Sequence, residues 1–146
     1  MCRHRQMRRA VVALVAGGMA LGVAVTVAQQ PRPPADAASV PRVTQEKFRT
    51  LLADGTAYVV DVRTAVSYSA GRIPGAVSVP FDEVLSRADE VLSLAGDRTI
   101  VTYCSCPSEH TSAEAGLVLM ARGGRDVRAL VGGYIDWVRA GGKIER

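Results

Sequence analysis

The stretch that most constrains the fold is Thr99–Met120, TIVTYCSCPSEHTSAEAGLVLM. A short apolar run, Ile100 to Tyr103, leads into two cysteines and a polar loop, and Ser112 opens an amphipathic segment with Ala113, Gly116, Leu117 and Met120 on one stripe. This pattern predicts a buried strand, a loop and a helix. The first N–H groups of such a helix lack partners within it, and the helix dipole adds partial positive charge at the same end. A thiol held in that setting is pushed towards thiolate, its reactive form.

The remaining elements are read outward from this unit. Thr44 caps a predicted helix over Gln45–Ala53, closed by Asp54-Gly55, and Tyr58–Val62 is a short apolar strand. A brief helical turn follows at Ala65–Ala70, a Pro-Gly turn at Ile73–Ala76, and a second strand at Val77–Val79. Phe81–Leu94 reads as a helix, Thr99–Tyr103 as the third strand, Val127–Val131 as the fourth, and Tyr134–Ala140 as a closing helix. Strands alternating with helices predict an α/β fold, a mainly parallel central sheet flanked by helices on both faces.

The chain has 146 residues and a formal charge of +4, but the excess lies at one end. Six of its 18 basic residues precede Val43, and from there on 12 basic residues face 13 acidic ones. The folded part is therefore not basic, which argues against a nucleic-acid partner. Residues 1–9 carry four arginines, and Ala10–Ala28 is a 19-residue run without charge. That pairing predicts an export signal or a membrane anchor helix over 1–28, with possible membrane attachment through 10–28 and the remainder exported to a periplasmic or other extracytoplasmic space. Four prolines within Gln30–Pro41 make residues 29–42 a Pro-rich linker, which leaves 43–146 as the domain. Cys2 falls in the basic flank, so Cys104 and Cys106 are the cysteines of the exported part. One intervening residue makes a comfortable structural disulfide hard to close, so the two read as a reactive pair.

Three motifs, taken in order, resemble the rhodanese-like sulfurtransferase domain. They are Asp61-Val62-Arg63 with Gly71-Arg72-Ile73-Pro74-Gly75-Ala76-Val77, then Val101-Thr102-Tyr103-Cys104, then Leu130-Val131-Gly132-Gly133-Tyr134-Ile135-Asp136-Trp137. The resemblance implies a cysteine that takes sulfane sulfur from a small-molecule or protein-bound donor, holds it as a persulfide, and passes it to a thiol or other nucleophilic acceptor. It implies no cofactor and no metal.

The loop departs from the family pattern in two ways. Seven residues separate Cys104 from Ser112, where the family has five; counted back from Ser112, Cys106 is the cysteine in register. The strand side therefore selects Cys104 and the helix side Cys106. We favour Cys104, whose position the sheet would fix, with Cys106 able to resolve a persulfide through a transient disulfide. The family's thiosulfate users carry a basic residue in this loop, whereas here it holds Glu109 and His110. A carboxylate beside the sulfur would repel an anionic donor such as thiosulfate.

The candidate site is thus Cys104 and Cys106 as catalytic thiols, with Ser105, Ser108, Glu109, His110, Thr111, Ser112, Asp61 and Arg63 as loop or substrate-binding residues. His110 is a candidate proton shuttle or cationic partner for the thiolate. Asp61 and Arg63 suit a structural ion pair that ties loops together better than they suit contact with substrate. Two other classes of function stay open: a thiol redox or metal-handling protein using Cys104, Cys106 and His110, and a non-catalytic binding module. A phosphatase is disfavoured, because no arginine lies between Cys104 and Arg122 to hold phosphate.

Overall fold

The computed structural model describes residues 36–146. The expected signal or anchor at 1–28 and the first part of the linker lie outside them. Among the described residues no helix is long and apolar enough to cross a membrane.

The elements run in the order β1 (Arg42–Val43), α1 (Gln45–Ala53), β2 (Ala57–Asp61), α2 (Ala65–Ala70), β3 (Val77–Ser78), α3 (Val84–Ala95), β4 (Thr99–Tyr103), α4 (His110–Ala121), β5 (Val127–Leu130) and α5 (Gly133–Arg139). The five strands form one sheet in the order β1-β5-β4-β2-β3, and every pairing is parallel. This is the α/β architecture that the alternation of strands and helices predicts.

Period-two alternation along the strands sorts the core into two layers. Tyr58, Val60 and Ile100 pack with Val84, Ala88, Val91 and Ala95 of α3 and Ala115 and Leu119 of α4. Val59, Val101 and Leu130 pack on the other face with Phe48 of α1 and Trp137 of α5, whose rings meet edge to face at 5.5 Å. Both faces are covered, as a parallel sheet requires.

Three differences from the sequence reading have local causes. Residues 37–42, read as part of the linker, belong to the folded body: Val40 is buried and packs with Ala113 and Ala129, and Arg42–Val43 adds an edge strand to β5. A two-residue strand after prolines is too short to show a periodicity. The segment from Phe81 begins as a 3₁₀ turn, Phe81–Glu83, before α3, because the Phe81 N–H is held by the Val62 carbonyl at 3.2 Å. Helix α4 starts at His110 and not at Ser112. Ser112 is fully buried inside the first turn, where its hydroxyl donates to the Glu109 carbonyl at 2.9 Å.

Candidate active site

The sheet order dictates where a site can form. From β2 the chain leaves through α2 towards β3, on one side, while from β4 it leaves through α4 towards β5, on the other. Connections that diverge from adjacent parallel strands leave a crevice at their carboxyl ends. The register that pairs Asp61 with Tyr103 sets Val62-Arg63 and Cys104 side by side at that crevice. A cleft of about 430 Å³ opens there, lined by Arg63, Thr64, Ser67, Phe81, Asp82, Cys104, Ser105, Cys106 and Thr111, among others.

Cys104 follows directly on β4 and joins the α3/α4 layer, with 3% of its surface exposed. Its carbonyl accepts the Tyr134 N–H at 2.9 Å. Cys106, half-buried, packs beside it. The two form a disulfide, with Cα atoms 5.7 Å apart, a normal span for such a bridge, so the one-residue spacing that the sequence made look hard to close does close in this loop. The Cys106 N–H points at the Cys104 sulfur at 3.4 Å, and the Cys106 sulfur lies 3.7 Å from the Thr111 hydroxyl. Thr111 stands in the first turn of α4, whose N-terminus carries no side-chain cap. Its leading amides therefore have no side-chain acceptor, and the partial positive charge of that end favours a nearby thiolate.

The other residues singled out from the sequence divide by position. Ser105 and Thr111 line the cleft, while Ser108 is an exposed loop residue outside its lining. Glu109 turns away: its carboxylate accepts the Gly132 N–H at 2.6 Å and sits 4.0 Å from Arg42. It is not among the residues lining the cleft, so Glu109 is not the source of the expected repulsion, and the carboxylate in the lining is that of Asp82. Glu109 adopts a left-handed backbone, φ 51°, which for a non-glycine residue persists only where the surroundings impose it. His110 is 68% exposed and pairs with Glu114 one turn along α4, 3.2 Å away. It does not join the two sulfurs, and among the described residues no group of three potential ligands could hold a metal ion.

Asp61 and Arg63 form the core of a buried clamp. Arg63 Nε and Nη2 bridge both Asp61 oxygens at 2.5 to 3.1 Å, and Nη2 also donates to the Gly71 carbonyl at 2.7 Å. Tyr103 donates its hydroxyl to Asp61 at 2.6 Å and accepts the Ile73 N–H at 3.2 Å. The guanidinium lies 3.9 Å above the Tyr134 ring. Burial works against the Arg63 charge, but the Asp61 carboxylate more than offsets it and holds the arginine above its usual range. Burial, and then the bond to Asp61, push the Tyr103 hydroxyl far above the ordinary tyrosine value.

The residues that sequence reasoning missed are those that hold the loop in place. Tyr103 read as a core strand residue, and only the register shows it joining Asp61 to Ile73. The Gly132-Gly133 pair read as part of the closing motif, yet Gly132 N–H and Tyr134 N–H grip Glu109 and Cys104, the two ends of the cysteine loop. Its placement in the closing signature was the available signal.

A family model for the rhodanese-like domain matches residues 44–140. The chain belongs to the rhodanese-like domain family. Its relatives include a sulfurtransferase of Allochromatium vinosum, 36% identical over 83 residues, 57% of this chain and 73% of that protein. An HTH-type transcriptional regulator of Mycobacterium tuberculosis is 35% identical over 133 residues. That match takes in 90% of this chain but only 54% of the regulator, so the rhodanese-like chain spans little more than half of that relative's length. The solved structure of a human single-domain sulfurtransferase aligns with a TM-score of 0.59 and 27% identity, covering 68% of this chain and 96% of that one. Relatives bearing the name sulfurtransferase support sulfur transfer in general.

Proposed function

We propose that this rhodanese-like domain is an exported sulfurtransferase that carries sulfane sulfur as a persulfide on Cys104. The observation that carries this reading is the placement of Cys104: at the end of β4, on the floor of the crevice between diverging connections, with an amide N–H directed at its sulfur. In the reduced protein the Cys104 thiolate attacks the outer sulfur of a donor persulfide. The donor's S–S bond breaks, and its inner sulfur leaves as a thiolate with the bonding pair. A nucleophilic acceptor, such as a thiolate, then attacks the outer sulfur held on Cys104 and releases the Cys104 thiolate unchanged. Neither half needs a cofactor. The helix N-terminus and loop amides stabilise the sulfur anion in both halves.

With Glu109 held by Gly132, the charged residues in the lining are Asp82 and Arg63, and the Arg63 guanidinium is taken up by Asp61, so neutral persulfide donors suit the cleft better than anionic ones. Donors extend from low-molecular-weight persulfides to protein-bound ones. The arginine flank and apolar run of residues 1–28, followed by a Pro-rich spacer, support export and attachment at a membrane surface.

The test uses a sulfane donor with cyanide as acceptor, reading thiocyanate formation together with intact mass. Wild type is expected to gain one sulfur atom transiently and to form thiocyanate, and Cys104→Ser to do neither. A Cys104→Ser protein that still loads sulfur would overturn the assignment. For export, recovery of the full-length protein solely from the cytosolic fraction would refute the location. A second reading, thiol–disulfide exchange with a partner, is favoured by the Cys104–Cys106 bond itself. It predicts reversible oxidation with no sulfur adduct from any donor.

A further inference from the structure

Cys106 has no part in the transfer just described, yet its sulfur is bonded to that of Cys104 at the floor of the same cleft. We propose that Cys106 gives this domain a second activity: it releases the carried sulfur as hydrogen sulfide, which makes the protein a dithiol-dependent reductase of sulfane sulfur. The inference rests on the reading that Cys104 carries the persulfide.

The chemistry follows from which bond the two residues make. With a persulfide on Cys104, the Cys106 thiolate attacks the inner sulfur, Cys104 Sγ. The bond between that sulfur and the outer one breaks, and the outer sulfur leaves as hydrosulfide with the electron pair and the proton it already carried. The product is the Cys104–Cys106 disulfide. The sulfane sulfur has been reduced by two electrons and the cysteine pair oxidised by two. A second turnover needs a dithiol reductant of the thioredoxin or dithiothreitol class, which exchanges with the disulfide and restores both thiols.

Three features make this step fast compared with escape of the persulfide to an external thiol. Only Ser105 separates the two cysteines, so closure spans almost no chain. The loop cannot relax open, because both ends are fixed to the same turn: the Cys104 carbonyl by the Tyr134 N–H at 2.9 Å, and the Glu109 carboxylate by the Gly132 N–H at 2.6 Å. Access also differs. Cys104 is 3% exposed while Cys106 is half-buried, and Cys106 lies next to Thr111 in the uncapped first turn of α4, where a thiolate is favoured. A nucleophile held at the reacting atom converts a bimolecular step into an intramolecular one. The consequence is a branch point. A good acceptor in the cleft receives the sulfur, and without one the domain empties itself as sulfide and stops as the disulfide until it is reduced.

The experiment uses the full chain, fully reduced and freed of reductant, with one equivalent of glutathione persulfide and no acceptor. Sulfide, free thiols and intact mass are followed together. Wild type is expected to release one sulfide per protein, to lose both loop thiols and to end lighter by two hydrogens. Adding excess dithiothreitol should make release catalytic. Cys106→Ser is expected to gain one sulfur and keep it, with sulfide release slower by at least about tenfold. The wild-type stoichiometry tests the proposal even if the variant folds poorly. Wild type that holds its persulfide as long as Cys106→Ser would overturn this inference and leave the carrier reading intact. A glutathionyl adduct on Cys106→Ser, in place of a single sulfur, would also overturn it, because sulfide would then come from attack on the donor's inner sulfur. Absence of both adduct and sulfide would sink the carrier reading and this inference with it.

Discussion

Replacing Gly133 by alanine tests whether the β5–α5 turn holds the cysteine loop. Gly133 has φ +51°, and a Cβ built there would overlap the Cys104 carbonyl oxygen. A left-handed backbone costs a non-glycine residue about 1–2 kcal/mol. The overlap is with backbone, so it is relieved only by moving the turn away from Cys104, which breaks the Tyr134 N–H bond to the Cys104 carbonyl at a further cost of about 0.5–1.5 kcal/mol. The sum, about 1.5–3.5 kcal/mol, corresponds to a Tm lower by roughly 6–17 °C in a domain of this size. Gly55→Ala is the internal control. Its φ of +68° carries the same backbone cost, but nothing lies within 4 Å of the added carbon, so it should lower Tm by about 4–10 °C. Thermal unfolding by circular dichroism measures both, and intact mass after exposure to a sulfane donor shows whether Gly133→Ala also loads sulfur more slowly. If the two variants melt within about 2 °C of each other, the turn does not grip Cys104 and the account of a fixed loop is wrong.

Three further outcomes are expected. Asp61→Asn leaves the Arg63 guanidinium buried without its counter-ion and should cost about 3–5 kcal/mol in urea unfolding; a loss below about 1 kcal/mol would show that the clamp is not an ion pair of consequence. Alkaline pH should destabilise the domain: Tyr103 and Tyr58 are both held above the usual tyrosine value of 10.0, in each case chiefly by burial. Above about pH 10 the unfolded chain loses these phenolic protons while the fold keeps them, so stability, complete below that pH, should fall as pH rises, by up to about 1.4 kcal/mol per pH unit for each group. A stability profile flat from pH 9 to pH 11, on the order of two units across the usual tyrosine value, would contradict this. His110→Ala removes an exposed pair with Glu114 and should change stability by less than about 0.5 kcal/mol while leaving sulfur loading unaltered; a large drop in loading would restore His110 as a proton shuttle.

Much of the architecture could be read from local pattern, because each α/β unit announces itself within a few residues. The helix Gln45–Ala53 and the strand Thr99–Tyr103 fall where capping and apolar runs put them. Strand β1 could not be read that way: two residues carry no period, and Arg42–Val43 is extended only because β5 offers an edge. Glu109 shows the same limit in the site. Its place in the loop suggested a charge beside sulfur, but its carboxylate is turned by the Gly132 amide, 23 residues further on.

The order of residues by itself determined a strand ending in a cysteine ahead of a helix N-terminus, because that requires only neighbours along the chain. Tertiary structure decided what surrounds that cysteine. Parallel strands diverging on either side open the cleft, register sets Asp61 against Tyr103, and a distant glycine turn fixes the loop so that two sulfurs meet. Those are long-range packing choices, and no window of sequence contains the partners that make them.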